Sequence, residues 1–225
     1  SFWITNPDNQ FIGNHAAGSD RYGFWFNMPI TANGPSYDPN VCPQYEQLGE
    51  FTGNVAHSNG RYGLRIFEKF IPVTNPCAAL AENASGRREQ PNPAVSAPIV
   101  THFRDFLAYK NLFTGIILEE AGALKFHNIR TADNVIAGME ISMTAAGPWL
   151  TSSDDYHLQD ALIVGASENI DDEILHAEMS GDTCGVKGSR NEKMRVKDTL
   201  FVNFDYNSIF AAISTCSHCE GCGTD

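Results

Sequence analysis

The segment GNHAAGSDRYGFWF, residues 13–26, returns without a gap as GNVAHSNGRYGLRI, residues 53–66. Six of the fourteen positions are identical: Gly13/Gly53, Asn14/Asn54, Ala16/Ala56, Arg21/Arg61, Tyr22/Tyr62 and Gly23/Gly63. Phe11 and Phe51 match just upstream, whereas chance would supply about one identity over that length. A unit this short cannot bury its own apolar face, so it must stack on copies of itself.

The side-chain pattern inside the unit has a period of two. Phe24 aligns with Leu64 and Phe26 with Ile66, while Trp25 between them aligns with Arg65. Alternate side chains of a strand face opposite ways, so 24/64 and 26/66 read as inward and 25/65 as outward. Gly23 and Gly63 stand before the strand, where a turn needs positive φ or close backbone approach. Asn14 and Asn54 mark a preceding corner, where Asn tolerates the left-handed region and bonds to its own backbone.

Weaker copies follow. His127–Asn128 leads to GMEI at 138–141, with Met139 and Ile141 inward and Glu140 outward, and Asn111 leads through Gly115 to Ile116 and Leu118 inward. DALIV (160–164) and DTLFV (198–202) read as a further strand pair. Stacked parallel units of a single short strand per turn define an all-β chain, a β-helix. Long insertions separate the rungs. Residues 27–50 and 70–98, rich in Pro, Asn, Gly and Ser, read as loops outside the solenoid, and 165–195 reads as an acidic loop. THFRDFLAYK, 101–110, predicts a short helix capped by Thr101 with Phe103, Phe106 and Leu107 on one face. Residues 1–225 read as one domain.

The charge balance is acidic, with 15 Lys plus Arg against 27 Asp plus Glu and a net charge of −12. With no clustered positive charge, a nucleic-acid partner is not expected. No apolar run has the length of a membrane span. The chain opens on a strand-like SFWI rather than Met, as a piece of a longer or processed polypeptide would. Six cysteines, Cys42, Cys77, Cys184, Cys216, Cys219 and Cys222, accompany an acceptor sequon at Asn83. Together they point to a disulfide-forming secretory compartment and glycosylation at Asn83.

The phrases FWITNPDNQFIGNHAAGSDRYGFWF, GPSYDPNVCP, LGEFTGNVAHSNGRYGLRIFE and EEAGALKFHN, with the terminal cysteine cluster, resemble the β-helix region of the fibrocystin-L family of large cell-surface proteins. The resemblance runs in order along essentially the whole chain, and extends more distantly to hyaluronan-degrading surface and secreted proteins. It implies a right-handed parallel β-helix, an extracellular or cell-surface location and a much larger parent whose adjacent domains would be partners. It also implies a receptor-like or structural role without established catalysis, while the distant relatives keep a polysaccharide hydrolase or lyase as the rival.

CSHCEGC at 216–222 could in another compartment suggest zinc. Beside the sequon and the family's location, disulfides are the favoured reading. Cys42 and Cys77 read as one bridge pinning two insertion loops, and Cys184, Cys216, Cys219 and Cys222 leave three pairings open. His15, His57 and His127 fall near rung corners, and with Asp20, Glu68 or Glu119 would be an acid–base set if they converged. Their offset in the repeat favours polar corner residues instead, so no catalytic residue is assigned. Trp25 and Arg65, outward and adjacent, are the candidate contacts for a sugar ring or protein partner, unless the 27–50 insertion covers Trp25. Asp154–Asp155 and Asp171–Asp172–Glu173 carry oxygen ligands of the kind Ca²⁺ takes, but their spacing fits no dedicated calcium loop and a solvated acidic face is favoured, so no metal or cofactor is assigned. A solenoid end is an open β edge, so the isolated segment is expected to associate through its ends.

Overall fold

In the computed structural model, residues 1–77, 96–144, 157–169, 183–188, 194–204 and 211–214 are described. They wind as a parallel β-helix of three sheets. After β1 (Phe2–Ile4), the first rung is β2 (Gln10–Ile12), β3 (His15–Ala17) and β4 (Tyr22–Asn27). The second is β5 (Glu50–Thr52), β6 (Val55–His57) and β7 (Tyr62–Phe70), and the third β8 (Thr101–Arg104), β9 (Leu107–Tyr109) and β10 (Thr114–Ala121). β11 (Leu124–His127), β12 (Arg130–Ala132) and β13 (Ala137–Thr144) make the fourth. β14 (Leu158–Gln159), β15 (Leu162–Val164) and β16 (Cys184–Lys187) make the fifth, then β17 (Val196–Lys197), β18 (Leu200–Val202) and β19 (Ala211–Ser214) the last. Sheet A stacks β1, β4, β7, β10, β13, β16 and β19; sheet B runs from β2 to β17 and sheet C from β3 to β18.

Parallel pairing puts like positions above one another, and the repeat specifies which. Phe24 pairs with Leu64, Trp25 with Arg65 and Phe26 with Ile66. Leu64 and Ile66 continue into Ile116 and Leu118, then Met139 and Ile141, all buried. Sheet B contributes Phe51, Phe103 and Phe126, the last two stacked at 4.8 Å, and Phe51 meets Phe24 edge-on at 5.3 Å. Sheet C answers these large rings with Ala16, Ala56 and Ala108. Alternating large and small residues across facing sheets is what fills a core at crystal-like density.

The corners are built by backbone conformation and amide ladders. Gly13, Gly53, Asp105, Asn128, Asp160 and Asp198, each between a sheet B and a sheet C strand, all have positive φ. This is the left-handed region that Gly, Asn and Asp visit most readily. The positive φ therefore falls on Gly13 and Gly53 rather than on Asn14 and Asn54. Those two asparagines bond between rungs: Asn14 Nδ2 donates to Asn54 Oδ1 at 3.0 Å, and Asn54 Nδ2 to the Phe11 carbonyl at 2.7 Å. Gly23 and Gly63 serve close approach, since a Cβ on Gly63 would lie 2.6 Å from the Gly115 carbonyl oxygen.

A second, buried ladder sits at the next corner. Asn59 Nδ2 donates to Asn111 Oδ1 at 2.9 Å, and Asn111 Nδ2 to Asn134 Oδ1 at 2.9 Å. Asn134 Nδ2 ends it on the Ala108 carbonyl at 3.0 Å. Asn111, read in the sequence as a strand leader, is its central member.

Four expectations are corrected. Each full turn carries three strands, one in each sheet, rather than the single strand read from the repeat. Residues 101–110 form β8, a corner and β9 instead of a helix, because Asp105 has φ 53°, which no right-handed helix admits. Phe103 and Phe106 are both buried because a bend separates them, which in sequence imitates helical spacing. The reading of 165–195 as loop omitted β16, whose Val186 lies in the core. The left-handed corner residue belongs to Gly13 and Gly53, as above.

Insertions leave the helix mainly where sheet A passes to sheet B, at 28–49 and 71–100. Cys42 and Cys77 are joined by a disulfide across them, with Cα atoms 5.4 Å apart. Tyr45, Ile71 and Val73 pack around it as a small second core. Closing a loop of this length, 35 residues, restricts the unfolded chain by about 3–4 kcal/mol. Cys184 is buried at the start of β16; Asn83, Cys216, Cys219, Cys222, Asp154–Asp155 and Asp171–Asp172–Glu173 lie outside the described residues. Trp3 and Ile12 are exposed on the first strands, and Leu200 and Ile213 on the last.

Replacing Asn111 by Ala strands the buried Asn59 amide and its backbone N–H, both of which donate to Asn111 Oδ1. Each buried donor left without an acceptor costs about 1–3 kcal/mol. Urea unfolding of Asn111→Ala is therefore expected to show a loss of about 2–4 kcal/mol. Asn14→Ala, at the half-exposed end of the other ladder, is expected to lose about 1 kcal/mol or less.

Candidate functional site

The outer face of sheet A brings the two outward positions of the repeat together. Trp3, Trp25 and Arg65 occupy one column on successive strands. Trp3, 68% exposed, stacks on Trp25 at 5.2 Å, and Tyr22 leans on Trp25 at 4.9 Å. Offset aromatic pairs of this kind add about 0.5–1.5 kcal/mol beyond the area they bury. Trp25 is half-buried by these rings; its indole Nε1 is buried and has no hydrogen-bond partner among the described residues.

Arg65 is held from several sides. Its Nε and Nη2 donate to Glu119 Oε1 at 3.1 and 2.5 Å, and Nη1 donates to the Tyr22 hydroxyl at 2.7 Å. The guanidinium also lies 4.4 Å from the Phe67 ring centre and 5.6 Å from that of Tyr62. Phe67 reaches it because it stands two residues further along β7, on the same outward face as Arg65. Burial opposes the charge on Arg65, but the hydrogen bond and charge of Glu119, together with Tyr22 and Tyr62, hold the guanidinium above its usual range. Burial pushes the Tyr62 phenol up, with Arg65 pulling the other way. The site is thus an aromatic shelf of Trp3, Trp25 and Tyr22 supported from below by a neutralised Arg65–Glu119 pair.

The other sequence candidates are dispersed. His15 and His57 project from sheet C, where His57 stacks on Tyr109 at 4.6 Å. His127 lies on sheet B, Asp20 at a corner, and Glu68 and Glu119 on sheet A. Glu119 is taken by Arg65. No acid and base from this set share a face at hydrogen-bonding distance, and no metal-holding group of His, Cys, Asp or Glu is present among the described residues.

Sequence reading missed a contact on sheet B. His102 Nδ1 and His127 Nε2 are 2.9 Å apart, so one ring donates and the other accepts. Burial, Arg104, His127 and Lys125 push the His102 pKa down to about 4, and burial and Arg104 lower that of His127. His102 had no counterpart in the repeat, so no pattern singled it out. Rungs three and four are also spaced differently from rungs one and two.

Fold and site together describe a disulfide-pinned parallel β-helix with an aromatic shelf on the outer face of sheet A, open to solvent at Trp3. Residues 1–64 match the family model described as the CEMIP β-helix. The chain is similar to human fibrocystin-L, 32% identical over 212 residues, which is 91% of this chain and 4% of fibrocystin-L. It is 30% identical over 192 residues to the human cell migration-inducing and hyaluronan-binding protein, covering 80% of this chain and 14% of that protein. Human cell surface hyaluronidase CEMIP2 matches at 30% over 178 residues, 75% of this chain and 13% of that protein. The chain is a fibrocystin-L-like parallel β-helix segment, and in each relative the matching stretch is a small part of a far larger polypeptide. Among the described residues no helix is long and apolar enough to cross a membrane.

Both imidazoles titrate below the ordinary 6.5. As pH falls the unfolded chain takes up protons first, so stability present above that value is lost progressively toward pH 4. Thermal melts of the wild type are expected to fall between pH 7 and pH 5 more than those of His102→Gln. Equal slopes would show that the pair does not contribute.

Proposed function

We propose that this segment is a non-catalytic β-helix of a large, disulfide-bonded extracellular or cell-surface glycoprotein, presenting a ligand-contacting face. The observation that supports this is the dispersal of the titratable candidates over three sheets, with Glu119 already neutralised by Arg65. Catalysis of glycosidic cleavage needs two carboxyl groups, or an acid and a base, facing one bond. The aromatic shelf suits a different task. Stacked indoles offer a flat apolar surface to the C–H face of a sugar ring or to a partner's side chain. Arg65 acts in this reading through Trp25 and Tyr22, holding the shelf rather than touching the ligand by itself.

Ile12, Leu200 and Ile213, exposed apolar residues of the end strands away from the shelf, suit packing against adjacent domains of a parent. Glycosylation at Asn83, and pairing among Cys184, Cys216, Cys219 and Cys222, belong to the same reading, in which the compartment is oxidising. The rival is a polysaccharide depolymerase, favoured by the name of the hyaluronidase relative and resting on family analogy.

Two measurements on the protein separate these readings. Incubation with hyaluronan, chondroitin and pectin is expected to leave chain length unchanged; shortening that survives purification and is lost in a carboxylate variant would establish the depolymerase. On a glycan array, any saccharide retained by the wild type is expected to bind about tenfold more weakly to Trp3→Ala, on the scale of one lost aromatic stacking contact. Retention unchanged in that variant would remove the shelf from the binding face.

A further inference from the structure

Sheet B contains an interruption on a face separate from the aromatic shelf. Elsewhere its neighbours pair over two or more residues, but β5 and β8 meet in register only at Thr52 and Arg104. The 71–100 insertion returns to the helix here, and the strands splay upstream of that pair. The splay opens a cleft of about 150 Å³, lined by Gln47, Glu50, Thr52, Val100, His102 and Arg104 among others.

Basic groups gather at this cleft although the whole chain is acidic. Arg104 is exposed and its guanidinium enters no ion pair among the described residues. His102 lines the cleft and leans on His127, with Lys125 beside it in register. The nearby carboxylate of Asp105 is engaged on both oxygens, by Thr52 Oγ1 at 3.1 Å and Asn128 Nδ2 at 2.6 Å. Asp160 lies beside His127, and Glu50 is the one carboxylate lining the cleft itself.

We propose that the cleft between β5 and β8 is an oxyanion subsite, seating one carboxylate or sulfate group between Arg104 and His102. A guanidinium fork offers two parallel N–H bonds to such a group, and an imidazole N–H adds a third. The site is built to strengthen in acid. Without an anion, Arg104 and Lys125 disfavour a proton on the two imidazoles; a bound anion removes that repulsion and favours protonation, so proton and anion bind cooperatively. Glu50 opposes the anion from the same wall.

The test is an NMR titration of the imidazole Cε1–H resonances of the full chain with sodium sulfate and, separately, sodium glucuronate. It is run at pH 7.4 and 5.0 at constant ionic strength; both probes stay ionised throughout. Saturable shifts of His102 and His127 are expected, with affinity roughly tenfold higher at pH 5.0, the order set by restoring one proton to the pair. Arg104→Gln is expected to abolish saturation, Glu50→Gln to tighten binding, and the double variant His102→Gln/His127→Gln, followed through backbone amides, to bind without the acid gain. Tighter binding of glucuronate assigns the group to a sugar carboxylate and tighter binding of sulfate to a sulfate. Shifts that stay linear at both pH values, or saturable binding unchanged in Arg104→Gln, overturn the proposal.

Discussion

Parallel pairing at fixed register forces corresponding residues of successive rungs into columns about 4.8 Å apart. The rest of this structure depends on each column being tolerable to itself. Apolar columns meet that condition easily, as Phe24, Leu64, Ile116 and Met139 do in sheet A. Buried polar columns meet it only when each side chain both donates and accepts. Asparagine has an amide that does so, and the Asn59–Asn111–Asn134 ladder passes one hydrogen bond per rung up the corner. A Ser or Asp column could not repeat that pattern indefinitely, since the first is too short and the second would stack like charges.

The same constraint explains why the outer faces are heterogeneous. Outside the core, a column need not fit the facing sheets, so Trp3, Trp25, Arg65, Ile117, Glu140 and Lys187 follow one another in a single line. Stacked like charges would repel at that spacing, and the sequence avoids them by alternating aromatic, basic, apolar and acidic residues. Arg65 then finds its counter-charge diagonally, in Glu119, rather than in its own column. The aromatic shelf and its ionic support are both products of the freedom that the core columns lack.

How much of this was legible follows from how faithfully spacing is kept. Between rungs one and two the insertion happens to preserve a gapless match, so the inward residues 24/64 and 26/66 and the outward pair 25/65 could be read directly. Left-handed corners appear at 13, 53, 105, 128, 160 and 198, at intervals too uneven to show as a period. The Asn59 ladder was therefore invisible: its members lie 52 and then 23 residues apart, and Asn59 aligns with Ser19 in the obvious repeat. The helix expected at 101–110 failed for a related reason. A strand, a bend and a second strand place Phe103 and Phe106 inside at a spacing of three, and only Asp105, a residue tolerant of positive φ, hinted at the bend. His102 and His127 meet across a register that no sequence pattern announces.

Interruptions of the repeat also decide where chemistry can gather. The sheet B to sheet C corners hold two residues in every rung, such as Gly13–Asn14 and Asp105–Phe106, so nothing can be inserted there without breaking the left-handed turn. Passage from sheet A to sheet B has no such requirement and absorbs the 28–49 and 71–100 insertions. The Cys42–Cys77 bridge ties those two insertions to each other, which limits how far the strands beneath them can part. β5 and β8, immediately downstream of those insertions, still separate enough to leave a cleft while remaining joined through Thr52 and Arg104. The scaffold columns are thus uniform where the corner is short, and the cleft opens beside the corner whose length varies.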